Sequence, residues 1–505
     1  MASSSSAAPR KKKTKQLRLL LLPFFANSHI GPFTDLAFHL AAARPDVVEV
    51  TIAVTPANVS VVRSALARHG TPGGAVVVKT ATYAFPAMDG VPPGIENISA
   101  AKGEFWRRIH VTAMDESVMR PGQEALIRES SPDVIISDLH FSWSTDIAAD
   151  LGVPCVIFHV MGTFPILAML NMYMAAPGGG EDVVGGVAAI PGFPPPEIRI
   201  PVTELPKDLF FRSQQQEQHS FGIRSALGRS FGLAVNTFLD LERDYCGLYV
   251  ADGIVKRAYF LGPLLLPLLL PQSSAPNNNS RWCIDWLDKK PNNSVLYLCF
   301  GSFAPLSDAQ IRELALGLEA SGKPFLWVVK SDSWKTPPKG WVERVGDRGL
   351  VVTDWAPQTA ILAHPAVGAF VTHCGWNSVL ETVVAGVPVL TWPLIGEQFI
   401  SERFVTQVLG IGARLCPEDS GIVRSVRRGE RGLVPAEVVA RAVTAFMEPG
   451  GAGDTARVRA KKLSVKARAA MEDGGSSRQD LHRFIDDLME ETRARVETVQ
   501  LRPKM

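Results

Sequence analysis

The chain has 505 residues, of which 46% are hydrophobic, enough apolar material for two or three globular domains. Lys and Arg number 52 against 50 Asp and Glu, and a formal charge of +2 does not indicate a nucleic acid partner. Six cysteines stand without CxxC spacing, which argues against a disulfide framework or a zinc site and is typical of a reducing compartment.

The N-terminal segment imitates a secretory signal, because basic residues at 10–15 precede the apolar run LRLLLLPFFANS. The same run is typical of a buried first β-strand, and we favour that interpretation because a candidate site residue follows it. Residues 261–271 form another apolar run, but prolines interrupt it and it is too short to cross a bilayer. We therefore predict a cytoplasmic protein with no integral membrane segment, and we expect the basic residues at 424–431 to form a solvated loop.

Short apolar runs alternate with helical patterns along the chain, and the alternation occurs in two series. The first series of predicted strands is RLLLLPF, VVEVTIAV, GAVVVKTATY, DVIISD and PCVIFHV, and the second is SVLYLCFGS, KPFLWVVK, GLVVTDWAP, VGAFVTHC and VPVLTWP. We predict two α/β domains at residues 1–262 and 281–480, joined by a Pro- and Asn-rich linker at 263–280. A C-terminal helix at 481–505 is expected to pack back toward the first domain.

Parallel sheets bind ligands outside the carboxyl ends of their strands, so two facing sheets predict a cleft lined from both sides. In the first half, His29 follows the first strand in a loop just before a helix, and Asp138 ends another strand. A carboxylate can orient an imidazole and stabilise its protonated form, leaving the other ring nitrogen to accept a proton. No GxSxG motif accompanies the pair, so we predict a base for a substrate hydroxyl. His140 is a competing base that we rank well below His29.

In the second half, the segment THCGWNSVLETVVAGVP predicts a strand, a tight turn and a helix. His373, Asn377 and Ser378 fall where the free N–H groups and the positive end of a helix can hold a diphosphate without metal. Ser302, in an earlier Gly-Ser turn, can add a hydroxyl to such a site. Glu381 lies about one helical turn after Ser378 and can accept hydrogen bonds from ribose hydroxyls.

Polar and aromatic residues flank this segment on both sides. Upstream, Trp355 offers a flat apolar surface for a base, and the Gln358 amide can both donate and accept hydrogen bonds. Downstream, Glu397 and Gln398 offer acceptors and donors for sugar hydroxyls. Each residue alone fits an ordinary structural role, such as core packing or helix capping. The whole group favours a nucleotide-sugar site.

Residues 355–398 resemble the 44-residue signature box of plant family 1 UDP-dependent glycosyltransferases, and the similarity continues in FFANSHIGP, VNTFLDLE, YFLGPL, SVLYLCFGS and DGGSS. The resemblance implies the GT-B fold, an α/β architecture of two facing Rossmann-like domains with parallel sheets and an interdomain cleft. It implies inverting transfer of a hexose from a UDP-sugar to an acceptor hydroxyl, with no cofactor or metal. It assigns His29 as the base and Asp138 as its partner. For the nucleoside, it assigns Trp355, Ala356 and Gln358 to uracil and Glu381 to ribose. The diphosphate would contact Ser302, His373, Asn377 and Ser378, and the hexose would contact Trp376, Glu397 and Gln398.

Within that family, Gln398 favours glucose as the donor sugar, while Glu397 stands where relatives usually have Asp. Val160 replaces a Ser or Thr that many relatives carry near the donor, with Thr163 three positions on. The apolar segments 84–120 and 185–206 are expected to line the acceptor pocket, which suits a phenolic, flavonoid or terpenoid acceptor. The alternatives are another donor sugar, a carboxylic acid acceptor, a membrane-bound transferase or a non-catalytic UDP-sugar-binding protein.

Overall fold

The structure is a computed structural model. It describes residues 16–69, 76–101, 103, 105–175, 183–184, 186–206, 209, 214–251, 253–266, 278–301, 306–330, 334, 337–353 and 355–500. Most of the predicted linker lies outside these ranges. Among the described helices, none is both long and apolar enough to cross a bilayer.

The first sheet is parallel and consists of seven strands. Its central strands are short runs of buried residues, as expected where helices cover both faces, whereas the edge strand β3 has no buried residue. The strands of the first half are β1 (Leu17–Leu22), β2 (Val48–Val54), β3 (Val78–Thr82), β4 (Val134–Asp138), β5 (Cys155–His159), β6 (Val183–Val184), β7 (Val187–Ala189), β8 (Arg199–Pro201), β9 (Gly232–Val235) and β10 (Ala258–Phe260). The order in the sheet is β10-β9-β5-β4-β1-β2-β3. β6, β7 and β8 form a separate antiparallel sheet, which the sequence analysis did not anticipate.

Helices connect these strands as crossover segments, which a parallel sheet requires. They are α1 (Asn27–Ala43), α2 (Val59–Ala67), α3 (Phe105–Ala113), α4 (Glu116–Ser130), α5 (Ser144–Leu151), α6 (Thr163–Ala175), α7 (Gln214–Arg229), α8 (Leu239–Cys246) and α9 (Leu248–Ala251). All five strands predicted for the first half are present, whereas β9 and β10 were not predicted as strands.

The second sheet is also parallel, in the order β13-β12-β11-β14-β15-β16. Its strands are β11 (Val295–Cys299), β12 (Phe325–Val329), β13 (Gly349–Thr353), β14 (Val367–Thr372), β15 (Val389–Thr391) and β16 (Gly412–Arg414). The helices of this half are α10 (Asn278–Leu287), α11 (Asp308–Ser321), α12 (Trp341–Val345), α13 (Gln358–Ala363), α14 (Trp376–Ala385), α15 (Gln398–Arg403), α16 (Ala436–Phe446), α17 (Ala452–Met471) and α18 (Ser476–Gln500). The five strands predicted for this half are present.

The last helix, α18, crosses back to the first sheet and packs on β10 and α1. Its apolar face contributes Leu481, Phe484 and Leu488 to the core on that side of the sheet. The Tyr259 hydroxyl on β10 donates a hydrogen bond to Asp487 Oδ2 at 2.7 Å. The two halves of the molecule are therefore joined by the end of the chain as well as by direct contacts.

Candidate active site

The predicted base lies where two neighbouring parallel strands end. β1 and β4 are adjacent, and Leu22 pairs with Ser137, so the chain leaves both strands at the same edge of the sheet. His29 lies in the first turn of α1 rather than in the predicted loop, because the helix already begins at Asn27. Its Nδ1 lies 2.7 Å from Oδ2 of Asp138, the last residue of β4. The structure thus brings the predicted pair together.

The carboxylate of Asp138 is buried and bonded to two imidazoles. Its Oδ1 lies 2.6 Å from Nδ1 of His140 and accepts the backbone N–H of that residue at 3.2 Å. Burial by itself would raise the pKa of Asp138, but the His29 and His140 charges and hydrogen bonds outweigh burial and hold it well below its usual range. The ionised carboxylate accepts a hydrogen bond from each Nδ1, so Nε2 is the nitrogen left to accept a proton on a ring that carries only one.

His140 lies beside His29, and its low rank as a competing base stays a prediction. β4 ends at Asp138, so the chain turns and returns the His140 side chain to the same carboxylate. His29, Asp138 and His140 offer ligand atoms within 4.8 Å of one another, a spacing at which the three could also approach one ion. Both Nδ1 atoms already bond the carboxylate, and the expectation that the site needs no metal stays a prediction.

A second polar site forms where β14 leads into α14. Cys374 adopts a positive φ of 64°, and Gly375 caps the helix in an extended conformation, so the free N–H groups of residues 376–378 open onto the turn. Burial lowers the pKa of His373 to about 4, and its Nδ1 has no partner among the described residues. A β-carbon on Gly301 would lie 2.8 Å from its Nε2. His373 is therefore a neutral hydrogen-bonding group and adds no positive charge for an anion.

The residues predicted to hold the base and ribose lie beside this turn. The Trp355 side chain is 57% exposed, while the next residue, Ala356, is buried. Gln358 begins α13; its Oε1 accepts the Tyr297 hydroxyl at 3.0 Å, and its Nε2 donates to Glu381. Burial raises the pKa of Glu381 to about 7. An open aromatic face, an amide and a carboxyl group are thus close together, as a nucleoside requires.

The residues predicted to contact the sugar begin α15. Gln398 is buried, and its Oε1 accepts the backbone N–H groups of Leu394 and Ile395 at 2.9 and 3.0 Å. Those bonds orient the amide and leave its Nε2 as the donor for a further group. Glu397 is the N-cap residue, and burial raises its pKa. A carboxyl and an amide therefore stand side by side at the end of β15.

The indole of Trp376 is buried between the two halves of the chain. Its side chain is 3% exposed, and its Nε1 donates to the backbone oxygen of Asn236 at 2.8 Å, so the ring is enclosed by the first half of the chain. The role of Trp376 at the hexose stays a prediction. The next residue, Asn377, donates from Nδ2 to the backbone oxygen of Ser28 at 3.0 Å. Sequence analysis missed both contacts, because they join segments far apart in the chain.

Three further positions were singled out from the sequence. Ser302 lies outside the described residues. Val160 is buried, and Thr163 does not replace the missing hydroxyl near the donor, because its own hydroxyl lies 3.8 Å from Cys246 Sγ in the core. The backbone N–H of Thr163 donates to Glu242 at 2.9 Å, which fixes the start of α6. Thr163 is thus a structural residue of the first half.

Fold and site together define a class of protein. Two parallel Rossmann-like sheets face one another, one carrying a His–carboxylate pair at its carboxyl edge and the other a turn of free N–H groups at the start of a helix. This arrangement is that of a GT-B nucleotide-sugar transferase.

Comparisons with known proteins identify the family. Residues 276–414 match the family described as UDP-glucoronosyl and UDP-glucosyl transferase. UDP-glycosyltransferase 73E1 of Stevia rebaudiana is 36% identical over 501 residues, which cover 95% of this chain and 97% of that protein. UDP-glucose flavonoid 3-O-glucosyltransferase 7 of Fragaria ananassa is 34% identical over 496 residues, covering 95% and 98%.

The solved structures agree with these relatives. Glycyrrhiza uralensis UGT73P12, crystallised with glycyrrhetinic acid 3-O-monoglucuronide, matches with a TM-score of 0.83 and 30% identity over 96% of this chain and 98% of that chain. The chain therefore belongs to the plant family 1 UDP-dependent glycosyltransferases. It is a UDP-glycosyltransferase with the GT-B fold.

Proposed function

We propose that this enzyme transfers glucose from UDP-glucose to a hydroxyl group of a small hydrophobic acceptor, with inversion, to give a β-glucoside. The acceptor class is phenolic, flavonoid or terpenoid. The cytoplasmic location stays a prediction, as does the division of the chain into domains at 1–262 and 281–480.

One hydrogen bond supports this function more than any other observation. Asn377 Nδ2 donates to the backbone oxygen of Ser28, the residue directly before His29. The first turn of α14, where a diphosphate would bind, is thereby held beside the base on α1. A donor bound at the turn and an acceptor bound at His29 would meet in the same part of the cleft.

The reaction follows from this placement as a single displacement. His29 Nε2 takes the proton of the acceptor hydroxyl, while Asp138 stabilises the resulting imidazolium. The acceptor oxygen forms a bond to the anomeric carbon of glucose as the bond from that carbon to UDP breaks on the opposite face. The free N–H groups of residues 376–378 stabilise the negative charge on the departing UDP.

Relatives and local chemistry support the choice of donor and acceptor. The Fragaria ananassa relative is named a UDP-glucose flavonoid 3-O-glucosyltransferase. Phe24 lies 5.4 Å from the His29 ring, centroid to centroid, and Phe25 lies 5.1 Å from Phe85. These aromatic side chains, of which Phe24 and Phe25 are buried, give the base apolar surroundings, which suits a small hydrophobic acceptor.

We also propose that transfer needs no metal ion. The backbone N–H groups at the start of α14 supply the anion-binding role, and the Nδ1 atoms of His29 and His140 already bond Asp138. Dialysis against EDTA should leave the rate unchanged. A rate that falls in EDTA and returns with one added metal would contradict this part of the proposal.

The test is mass spectrometry of products formed from UDP-glucose and a panel of phenolic, flavonoid, terpenoid and carboxylic acceptors. We expect a gain of one hexose mass that His29→Ala abolishes, with UDP binding measured by calorimetry unchanged. A product that mild alkali hydrolyses would be an ester and would indicate a carboxylic acid acceptor.

A second His–Asp pair provides the matched control. His364 Nε2 lies 3.1 Å from Asp288 Oδ1, at the amino end of β14 and away from the cleft. His364→Ala should retain full transfer. Activity that survives His29→Ala would exclude His29 as the base, and UDP-glucose binding without transfer to any acceptor would favour the binding-protein alternative.

A further inference from the structure

The proposed reaction uses one imidazole, but the site presents two. The ring centroids of His29 and His140 are 5.2 Å apart with an interplanar angle of 72°, and each ring bonds a different oxygen of Asp138 through Nδ1. Among the described residues neither Nε2 has a hydrogen-bond partner. The fold therefore builds a second oriented acceptor beside the base.

Packing against Phe24 orients the His140 ring as well as the His29 ring. His140 stacks on Phe24 with centroids 4.2 Å apart, and the same Phe24 ring contacts His29 at 5.4 Å in an edge-on arrangement. The side chains of His29 and His140 are 16% and 29% exposed, so both edges remain open to the cleft. A ring with one nitrogen bonded, one face stacked and one nitrogen open is well placed to bind a ligand.

We propose that His140 accepts a hydrogen bond from a second hydroxyl of the acceptor, next to the hydroxyl that His29 deprotonates. This inference rests on the proposed function. Both imidazoles bond the same carboxylate, and their ring centroids are 5.2 Å apart. Two acceptor hydroxyls that bind the two Nε2 atoms should therefore be attached to neighbouring positions of the acceptor rather than to its opposite ends. The enzyme therefore selects aromatic acceptors with two adjacent hydroxyls over those with one hydroxyl or with distant hydroxyls.

The energetic effect is that of one hydrogen bond in a partly buried site. An acceptor without the second hydroxyl leaves His140 Nε2 facing an apolar group and loses this bond. The expected preference is about three- to tenfold in kcat/KM. His140 also shares Asp138 with His29, so its removal can change the rate for every acceptor. The preference is therefore measured as a ratio between acceptors.

Three naphthols provide matched probes of the same size and apolar surface: 2-naphthol, 2,3-dihydroxynaphthalene and 2,7-dihydroxynaphthalene. Both diols carry two equivalent hydroxyls, so the statistical factor cancels between them. The wild-type enzyme should prefer the 2,3-diol over the 2,7-diol about three- to tenfold, and His140→Phe, which keeps a ring against Phe24, should bring the ratio near one. Equilibrium binding of the naphthols in the presence of UDP should show the same change without turnover.

His364→Ala is the control, because His364 also bonds an aspartate, Asp288, but lies at the amino end of β14 away from the cleft, and this substitution should leave the ratio unchanged. If His140→Phe does not fold, His140→Leu removes the same nitrogens. A ratio that His140→Phe leaves unchanged in both assays would overturn the inference, even if transfer to 2-naphthol confirms the proposed function. Absence of transfer to all three naphthols would contradict the proposed function for aromatic acceptors. The equilibrium binding of the naphthols would then still test the role of His140.

Discussion

The indole of Trp376 lies directly against the α-carbon of Gly162, and a β-carbon at Gly162 would overlap Cζ2 and Cη2 of that ring. The same indole donates its N–H to the backbone of Asn236. Trp376 begins α14, while Gly162 and Asn236 belong to the first half of the chain. This close approach joins α14, which begins the proposed diphosphate site, to the half that carries the proposed base.

Gly162→Ala should therefore weaken transfer by disturbing the joint between the halves. Inserting a methyl group into close packing costs about 1–3 kcal/mol, so the unfolding midpoint should fall and the KM for UDP-glucose should rise. Trp376→Leu combined with Gly162→Ala should lower the free energy of unfolding by less than the sum of the two single changes, because the new methyl group no longer overlaps the indole. Gly247→Ala, where a β-carbon meets nothing within 4 Å, is the control. Equal effects of the two alanine variants would contradict the argument.

Asp138→Asn should abolish most transfer while preserving the shape of the site. The neutral amide cannot stabilise a protonated His29, and it cannot accept hydrogen bonds from both imidazoles as the carboxylate does. We expect kcat to fall by about 10²- to 10⁴-fold with little change in the KM for UDP-glucose. Steady-state kinetics measure both quantities. A fall confined to KM would show that Asp138 serves binding rather than proton transfer.

The sequence predicted the parts of the site that local patterns determine. His29 and Asp138 each follow an apolar strand, and ends of parallel strands gather at one edge, so their meeting could be predicted without coordinates. The role of His140 depended on where β4 ends and how the chain turns there. The burial of Trp376 depended on the approach of the other half, which has no local pattern.

Glu381 should make donor binding dependent on pH. Burial raises its pKa to about 7 in the free enzyme, and ribose hydroxyls donate best to the ionised carboxylate. Protonation below that pKa therefore competes with the donor, and affinity rises as pH increases and levels off above the pKa. For a pKa near 7, UDP-glucose should bind about tenfold more tightly at pH 8 than at pH 6.

Calorimetry with UDP-glucose and no acceptor measures this dependence, because no turnover then contributes to the signal. Glu381→Gln should bind the donor with nearly the same affinity at both pH values. A wild-type affinity that does not change between pH 6 and 8 would argue against a ribose contact through the ionised carboxylate.

A buried group of charged residues forms another joint between the halves. Arg403, at the end of α15, is fully buried, with Nη2 2.6 Å from Glu204 Oε2 and Nη1 2.8 Å from Glu402 Oε2. Arg424 Nε lies 3.2 Å from Glu204 Oε1. Arg424 was predicted to lie in a solvated loop, and this prediction is wrong, because Arg424 pairs with carboxylates that are distant in the sequence.

Removing one partner of this group should destabilise the protein strongly. Arg403→Met removes the shortest ion pair of Glu204 but leaves it Arg424, so the cost should stay below about 3–5 kcal/mol, the range typical of a buried charge that loses its only partner. Arg403→Met with Glu204→Leu should cost less than the sum of the single changes. Urea unfolding followed by tryptophan fluorescence measures these free energies, and Arg344→Met, which breaks an exposed pair with Glu319, should leave them almost unchanged. Since Arg403 and Gln398 share α15, the KM for UDP-glucose should rise with each single change. If the losses in the free energy of unfolding from the two single changes simply add in the double variant, Arg403 and Glu204 are not directly coupled.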